Sequence, residues 1–564
     1  MRYTRFLISG LIIAASFLAS CEPENPEGTG IKTKEDDQLT TVEGEIPDYE
    51  DDYSAISSWD LHTKWNLANV HDPSIAYYKG WYYMYCTDAS YGNEHLNASV
   101  GKHFPGKRSK DLVNWSYVQG PFNDAPSWVK EKLNAIRADM GLDPIANPSY
   151  GYWAPVIRNV NVGGREVLRM YYCIVIDNYI KTGAATSSAF DGSWTERAFI
   201  GMCESTDPAN GKWEDKGFVT CSSSDKGSNG WARPNQNDWE AYFYYNAIDP
   251  TYIVAEDGKH WLIHGSWHSG FALLEINPET GMPVNELGDP WADSADALTA
   301  SYGVRVGTRT LNSRWQGSEA PEIIYKDGYY YLFMAYDALD VPYNTRVVRS
   351  QNIEGPYVDI TGRNFTNGRG DCYPIVTHPY KFSKGYGWVG ISHCCIFQQQ
   401  GTGDWFYCSQ GRLPENVGGN PYSNAIMMGH VRRIVWCPAS VDEPDNLWPI
   451  ALPERYAGLS KTAVKNSDIA GTWEHINLSY NYGRMDTSSE LVLSSNGTMS
   501  GALSGNWSFD ESRQQLTLSP SNGTPVVVVV AIEADWEASP RAATVVYAGT
   551  QKSLNATWWG KKIK

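Results

Sequence analysis

The sequence predicts an all-β chain: a five-bladed β-propeller followed by a small antiparallel β-barrel or sandwich. Three observations carry this expectation. One unit recurs five times, with openings at residues 72, 154, 249, 320 and 393. Helical periodicity is scarce, and its clearest instance, residues 127–140, reads as a helix within a loop. Beyond residue 467, apolar and polar residues alternate in short runs separated by Asn-Gly and Gly-rich turns. The chain of 564 residues exceeds one ordinary domain.

In chain order, Arg2 and Arg5 form a basic start, and residues 6–17 form an apolar run too short to span a bilayer. The run ends in Leu18-Ala19-Ser20-Cys21, which resembles the lipobox of bacterial lipoproteins. That resemblance implies cleavage before Cys21 and lipidation of its thiol, so residues 1–21 read as a lipoprotein signal. Residues 22–57 are acidic, rich in Pro, Thr and Gly and poor in large apolar side chains, which reads as a solvated tether. Acidic residues just after Cys21 suit an exported, outer-membrane lipoprotein displayed on the cell surface. The membrane is then a partner through the lipid alone.

Residues 58–458 carry the repeat. His71-Asp72-Pro73-Ser74-Ile75 precedes Trp81-Tyr82-Tyr83-Met84-Tyr85. Trp153-Ala154-Pro155-Val156 precedes Met170-Tyr171-Tyr172-Cys173. Ile248-Asp249-Pro250-Thr251 precedes His260-Trp261-Leu262-Ile263. Glu319-Ala320-Pro321-Glu322 precedes Tyr329-Tyr330-Tyr331-Leu332, and His393-Cys394-Cys395-Ile396 precedes Trp405-Phe406-Tyr407. The spacing of about 70 to 95 residues fits a four-stranded blade with loop insertions. Proline is tolerated at a strand's start, where no ladder hydrogen bond is required. Residues 430–436 read as an outer strand near the ring closure.

Residues 467–564 form the second β unit, with 526–531 as a buried strand. Its Trp473, Trp507 and Trp558 read as core side chains rather than a sugar platform. Besides Cys21, nine of the ten cysteines remain, an odd number with no CxxC pattern. Cys86, Cys173 and Cys408 lie in aromatic runs and read as small buried apolar residues.

The formal net charge of −18 argues against nucleic acid and against a polyanionic substrate. A neutral polymer fits better. The aromatic share of 13 %, with 23 Trp and 36 Tyr, suits sheets and also suits stacking on sugar rings.

The first strand of each propeller blade lines the central channel, so the five openings converge on one mouth. That brings Asp72, Asp249, Glu319 and His393 together, although they lie up to about 320 residues apart in sequence. Like charges brought close cost stability, so three acids at equivalent positions point to chemistry. Two carboxyls across a glycosidic bond, one protonated and one ionised, are what glycoside hydrolysis needs. A third carboxylate nearby would raise the acid's pKa.

The motifs His71-Asp72-Pro73-Ser74, Trp153-Ala154-Pro155, Asn246-Ala247-Ile248-Asp249-Pro250 and Trp315-Gln316-Gly317-Ser318-Glu319-Ala320-Pro321-Glu322 resemble glycoside hydrolase family 43 and, within it, the endo-arabinanases. The resemblance covers residues 60–455. It implies Asp72 as general base, Glu319 as general acid, Asp249 as the residue that tunes and orients the acid, and inversion by single displacement. It also implies a plant arabinan as the substrate. His393 matches a histidine that holds a calcium ion in the channel, although Cys394-Cys395 departs from the small polar residue expected after it. His71, Asn246 and Ser318 flank the acids as sugar contacts, and Trp153 either stacks on a sugar or packs in its strand. Glu322, three residues along from Glu319, reads as non-catalytic. Two other readings stay open. One is an exo-acting α-L-arabinofuranosidase or β-xylosidase on the same fold, depending on how residues 116–149 and 222–238 shape the cleft. The other is a non-catalytic glycan-binding lipoprotein.

Overall fold

The computed structural model describes residues 53–88, 102–180, 195–226, 242–299, 301–425 and 427–564, with a few residues outside these spans. The signal, Cys21, most of the tether and most of residues 227–238 lie outside the described residues.

Five four-stranded antiparallel sheets follow one another along the chain. Their innermost strands are Ser74–Tyr78, Tyr150–Val162, Thr251–Val254, Ser318–Lys326 and Cys395–Gln398. Each inner strand lies against the inner strand of the next blade, and the fifth lies against the first. That closed ring is a five-bladed propeller. The aromatic runs form the second strands, for example Trp81–Tyr85 and Tyr329–Tyr336. They are buried between blades because neither face of an isolated blade can be covered alone.

All five openings share one backbone feature. Asp72, Ala154, Asp249, Ala320 and His393 have φ of 50°, 40°, 57°, 55° and 54°. Left-handed backbone costs a non-glycine residue roughly 1–2 kcal/mol, so five repeats of it reflect a shared turn into the channel. In the second and fourth blades the inner strand runs straight through the opening. There the pairing register shifts between Trp153 and Val156 and between Glu319 and Glu322. Pro155 and Pro321 sit at these irregularities, where a missing N–H breaks no ladder bond.

Below the mouth the channel is plugged. Arg158 Nη2 donates to Glu322 Oε1 and Oε2 at 2.8 and 2.9 Å. Glu322 also accepts from Thr251 Oγ1 at 2.6 Å and from the Ile396 N–H at 3.1 Å. One carboxylate thus ties the second, third and fifth blades to the fourth. Ser74 Oγ accepts the Ile157 N–H at 3.0 Å and links the first blade to the second.

The ring is closed by residues preceding the first blade. Ala68 pairs with Met428, and the Gly429 N–H donates to the Leu67 carbonyl at 2.8 Å. Residues 430–436 therefore belong to the third strand of the fifth blade, Met427–Ser440, and not to its outer edge, which is Glu443–Ala451. Packing also begins before residue 58, because Tyr53 is buried in the cluster that holds Trp59 and Trp65. The loop helix forms over Ser127–Asp139 and buries Val129, Leu133 and Ile136.

The C-terminal unit is a closed eight-stranded barrel, Gly471–Ser479 through Ala556–Lys562. Trp473 and Trp558 are buried, and Trp507 packs partly against the same core. The barrel docks on the propeller through a shared apolar cluster that includes Tyr380, Trp388, Ile450, Ile476, Val546 and Trp559. Ion pairs flank it, with Arg433 on Glu533 at 2.7 Å and buried Lys561 on Glu454 at 3.0 Å. The nine cysteines from Cys86 to Cys437 are buried and unbridged.

Removing one partner of a buried ion pair strands the other, at a cost of about 3–5 kcal/mol. Glu322→Ala is therefore expected to lower the thermal midpoint sharply, measured by circular dichroism. An unchanged midpoint would contradict the plug's role in holding the ring.

Candidate active site

The mouth of the channel gathers the acids from the first, third and fourth blades and the histidine from the fifth. Asp72 is buried yet fully bonded. Its Oδ1 accepts from His393 Nδ1 at 2.8 Å and lies 3.3 Å from His71 Nε2. Its Oδ2 accepts from Thr87 Oγ1 at 2.7 Å. Its own N–H donates to Gln410 Oε1 at 3.1 Å. Burial pushes this carboxyl's pKa up, but the charges of His393 and His71 and the bonds from His393 and Thr87 outweigh burial. Asp72 is held well below the usual carboxylate range.

Glu319 meets the opposite balance. Tyr343 Oη lies 2.6 Å from its Oε1, while Ser266 Oγ and Trp267 Nε1 lie 2.9 and 2.6 Å from its Oε2. Burial is the largest influence and prevails over these bonds, with Asp72 adding repulsion, so the pKa of Glu319 is raised. Asp249 accepts the Ala320 N–H at 3.1 Å. Burial, together with the charges of Glu319 and Asp72, raises it well above the usual range. The environments of the acids therefore push them apart: Asp72 is shifted toward its ionised form, and Glu319 and Asp249 toward their protonated forms.

His393 is buried, which would lower its pKa, but Asp72 and Asp249 reverse this and push it up to about 9. It is an imidazolium among three acids. Its Nδ1 is committed to Asp72, so Nε2 is the nitrogen that remains for an ion. A metal-bound histidine usually donates its other N–H in this way. Calcium takes six to eight oxygen ligands, and no group of three or more His, Cys, Asp or Glu side chains among the described residues is arranged to hold a metal. The residues fit an ion only through His393 Nε2 and water, and binding there has to displace the histidine's proton.

The flanking residues divide. His71 sits beside Asp72. Trp153 is half-buried against Val175, Ala198 and Ile248 and keeps part of its surface exposed. Asn246 is buried, accepts from Ser222 Oγ at 2.9 Å and donates to the Ser266 carbonyl at 3.4 Å. Ser318 is also buried, and its carbonyl accepts the Trp267 N–H at 3.0 Å. Both thus bond to the Ser266-Trp267 turn beside Glu319. Glu322 is consumed by Arg158.

Five contributors to the site escaped sequence reasoning: Thr87, Ser266, Trp267, Tyr343 and Gln410. Four of them lie in or just beyond the second strand of a blade. An antiparallel second strand ends where the first begins, so the repeat itself carried their signal. Tyr343 stands before the third strand of the fourth blade and had no such marker. Trp267 also opens an aromatic wall beside the acid. Its ring stacks on Trp239 at 6.0 Å and meets the edge of Trp315, 40 % exposed, at 6.4 Å.

Comparisons agree with this geometry. Residues 67–436 match the model described as glycosyl hydrolases family 43, and residues 453–560 match a C-terminal lipocalin-like domain. An extracellular endo-α-(1→5)-L-arabinanase of Thermotoga petrophila is 23 % identical over 521 residues, covering 88 % of this chain and 94 % of that protein. Extracellular endo-α-(1→5)-L-arabinanase 2 of Bacillus subtilis is 24 % identical over 527 residues, covering 87 % and 93 %. The crystal structure of the endo-1,5-α-L-arabinanase from Thermotoga petrophila superposes with a TM-score of 0.63 at 22 % identity, covering 89 % of this chain and 99 % of that one. With its matched model spanning most of the chain and its acids set at one propeller mouth, this protein belongs to glycosyl hydrolases family 43.

Proposed function

We propose that this glycosidase cleaves internal α-1,5 bonds of L-arabinan by single displacement with inversion. The observation that carries the reading is the convergence at one channel mouth of Asp72, bonded by His393 and Thr87, and Glu319, buried and bonded by Tyr343, Ser266 and Trp267. Asp72 takes a proton from water as that water attacks the anomeric carbon. Glu319 gives its proton to the leaving oxygen. Inversion requires the two carboxyls about 6.5–9.5 Å apart, which leaves room for the water. Asp249 grips the Ala320 N–H next to the acid and so orients the peptide that carries it.

The choice of arabinan rests on the two relatives, which are named endo-arabinanases along nearly their whole lengths. The aromatic wall of Trp267 and Trp315 suits a neutral sugar chain extending past the acid. Both relatives are named extracellular, which supports export; lipidation at Cys21 and anchoring in the outer membrane extend that reading. Calcium, where it binds, would sit on His393 Nε2 and supply positive charge among the three acids.

Glu319→Gln is expected to lower kcat on linear arabinan by about 10²–10⁴-fold, the usual share of a general acid, with the fold intact by circular dichroism. Undiminished hydrolysis would exclude Glu319 as the acid. In the same assay the parent enzyme should release a ladder of oligosaccharides, and monosaccharide alone from the first minutes would favour the exo-acting reading. A chelator should reduce activity or thermal midpoint if calcium occupies His393. No change in either would leave the imidazolium as the only positive charge at that position.

A further inference from the structure

The barrel reaches the catalytic acid through one side chain. Tyr480 follows the barrel's first strand, Gly471–Ser479. Its Oη donates to Asp337 Oδ2 at 2.8 Å and accepts from Arg309 Nη2 at 3.2 Å. Asp337 and Arg309 belong to the propeller and are themselves paired, Arg309 Nη1 donating to Asp337 Oδ1 at 2.9 Å. Both then converge on one atom. The Gly317 carbonyl accepts from Arg309 Nη1 at 2.8 Å and from the Asp337 N–H at 2.8 Å. Gly317 lies two residues before Glu319. Its φ is +53°, and a Cβ there would come within 3.0 Å of Arg309 Nη1 and 2.8 Å of the Trp315 ring, so this turn has no room to relax with a side chain.

The same cluster touches the acid from the other side. Asn344 Nδ2 donates to Asp337 Oδ2 at 3.3 Å and to the Pro342 carbonyl at 2.9 Å, bracketing Tyr343. Tyr343 Oη is the group on Glu319 Oε1. The peptide that carries the acid and the loop that carries its hydrogen-bond partner therefore both lean on Asp337.

We propose that Tyr480 is a positioning residue for Glu319, through which the C-terminal barrel holds the acid's carboxyl where it can protonate the leaving oxygen. The inference rests on Glu319 being the general acid. It gives the barrel a part in catalysis that is separate from binding glycan. Two guanidiniums flank the relay: Arg309 lies 4.1 Å over the Tyr336 ring, and Arg346 lies 4.7 Å over the Tyr480 ring. Docking of the barrel does not depend on the Tyr480 hydroxyl, because the apolar cluster and the Arg433 and Lys561 ion pairs hold it independently.

The experiment compares the full-length parent chain with Tyr480→Phe, Asp337→Asn and the double variant. Thr550→Val serves as control; Thr550 Oγ1 donates to the Pro438 carbonyl at 2.9 Å across the same interface, far along the chain from the relay. Substrates are linear arabinan and a nitrophenyl arabino-oligosaccharide, whose leaving group needs little protonation. Tyr480→Phe should lower kcat on arabinan about tenfold, the scale of one hydrogen bond to a charged group, with KM little changed and a much smaller loss on the nitrophenyl substrate. The double variant should lose no more than Asp337→Asn alone. Thr550→Val should lower the thermal midpoint without changing kcat. Unchanged kcat in Tyr480→Phe, or equal losses on both substrates, overturns the proposal while leaving Glu319 as the acid. A parent chain inactive on both substrates overturns the reading of the site itself.

Discussion

The bidentate pair between Arg158 and Glu322 is the contact on which the site above it depends. Through Glu322 it fastens the inner strands of four blades to one another. A buried ion pair is a poor source of net stability, since desolvation offsets most of its Coulomb energy. Its value here is specificity: an inner strand that slipped by one residue would strand both charges. Burial dominates the pKa of Glu319 and Asp249 and is outweighed at Asp72 by His393, His71 and Thr87.

Around the mouth, acid and alanine alternate with a physical purpose. The Ala320 N–H donates to Asp249, and the Ala154 N–H donates to Thr87 Oγ1 at 2.6 Å, which in turn donates to Asp72. The two alanine openings turn their amides toward the blade before them, Ala320 directly to its acid and Ala154 through Thr87. An acidic residue in place of Ala154 or Ala320 would crowd a fourth carboxyl onto a ring that already holds Asp72, Asp249 and Glu319. A small side chain gives the amide room. The fifth opening supplies the only cation among the five, His393, and it goes to the acid that must stay ionised.

Much of this was legible in the sequence because the repeat was. The x-Pro openings located Asp72, Asp249, Glu319 and His393 on one rim, and the aromatic runs located the second strands. The strand pattern beyond residue 467 located the barrel. Residues that act through tertiary contact were not legible in the same way. Asn246 and Ser318 flank the acids in sequence, yet both are buried. Residues 430–436 are not the outer edge, because Glu443–Ala451 pairs outside them, Ile434 with Ala451 and Trp436 with Pro449. Tyr343 and Tyr480 carry no motif, and their importance comes from where two loops and a second domain meet.

The barrel and propeller behave as one packed body with a shared apolar cluster, so the acid is supported from outside its own domain as well as from its own blade. The central claim is that one mouth keeps a proton on Glu319 while leaving Asp72 ionised. The most direct measurement is a carboxyl ¹³C NMR titration of the labelled chain, with Glu319→Gln and Asp72→Asn used to assign the two signals. The account predicts that Glu319 titrates above the ordinary glutamate value of about 4.3 and Asp72 below the ordinary aspartate value of about 3.9. Two signals that titrate together near those ordinary values would contradict it.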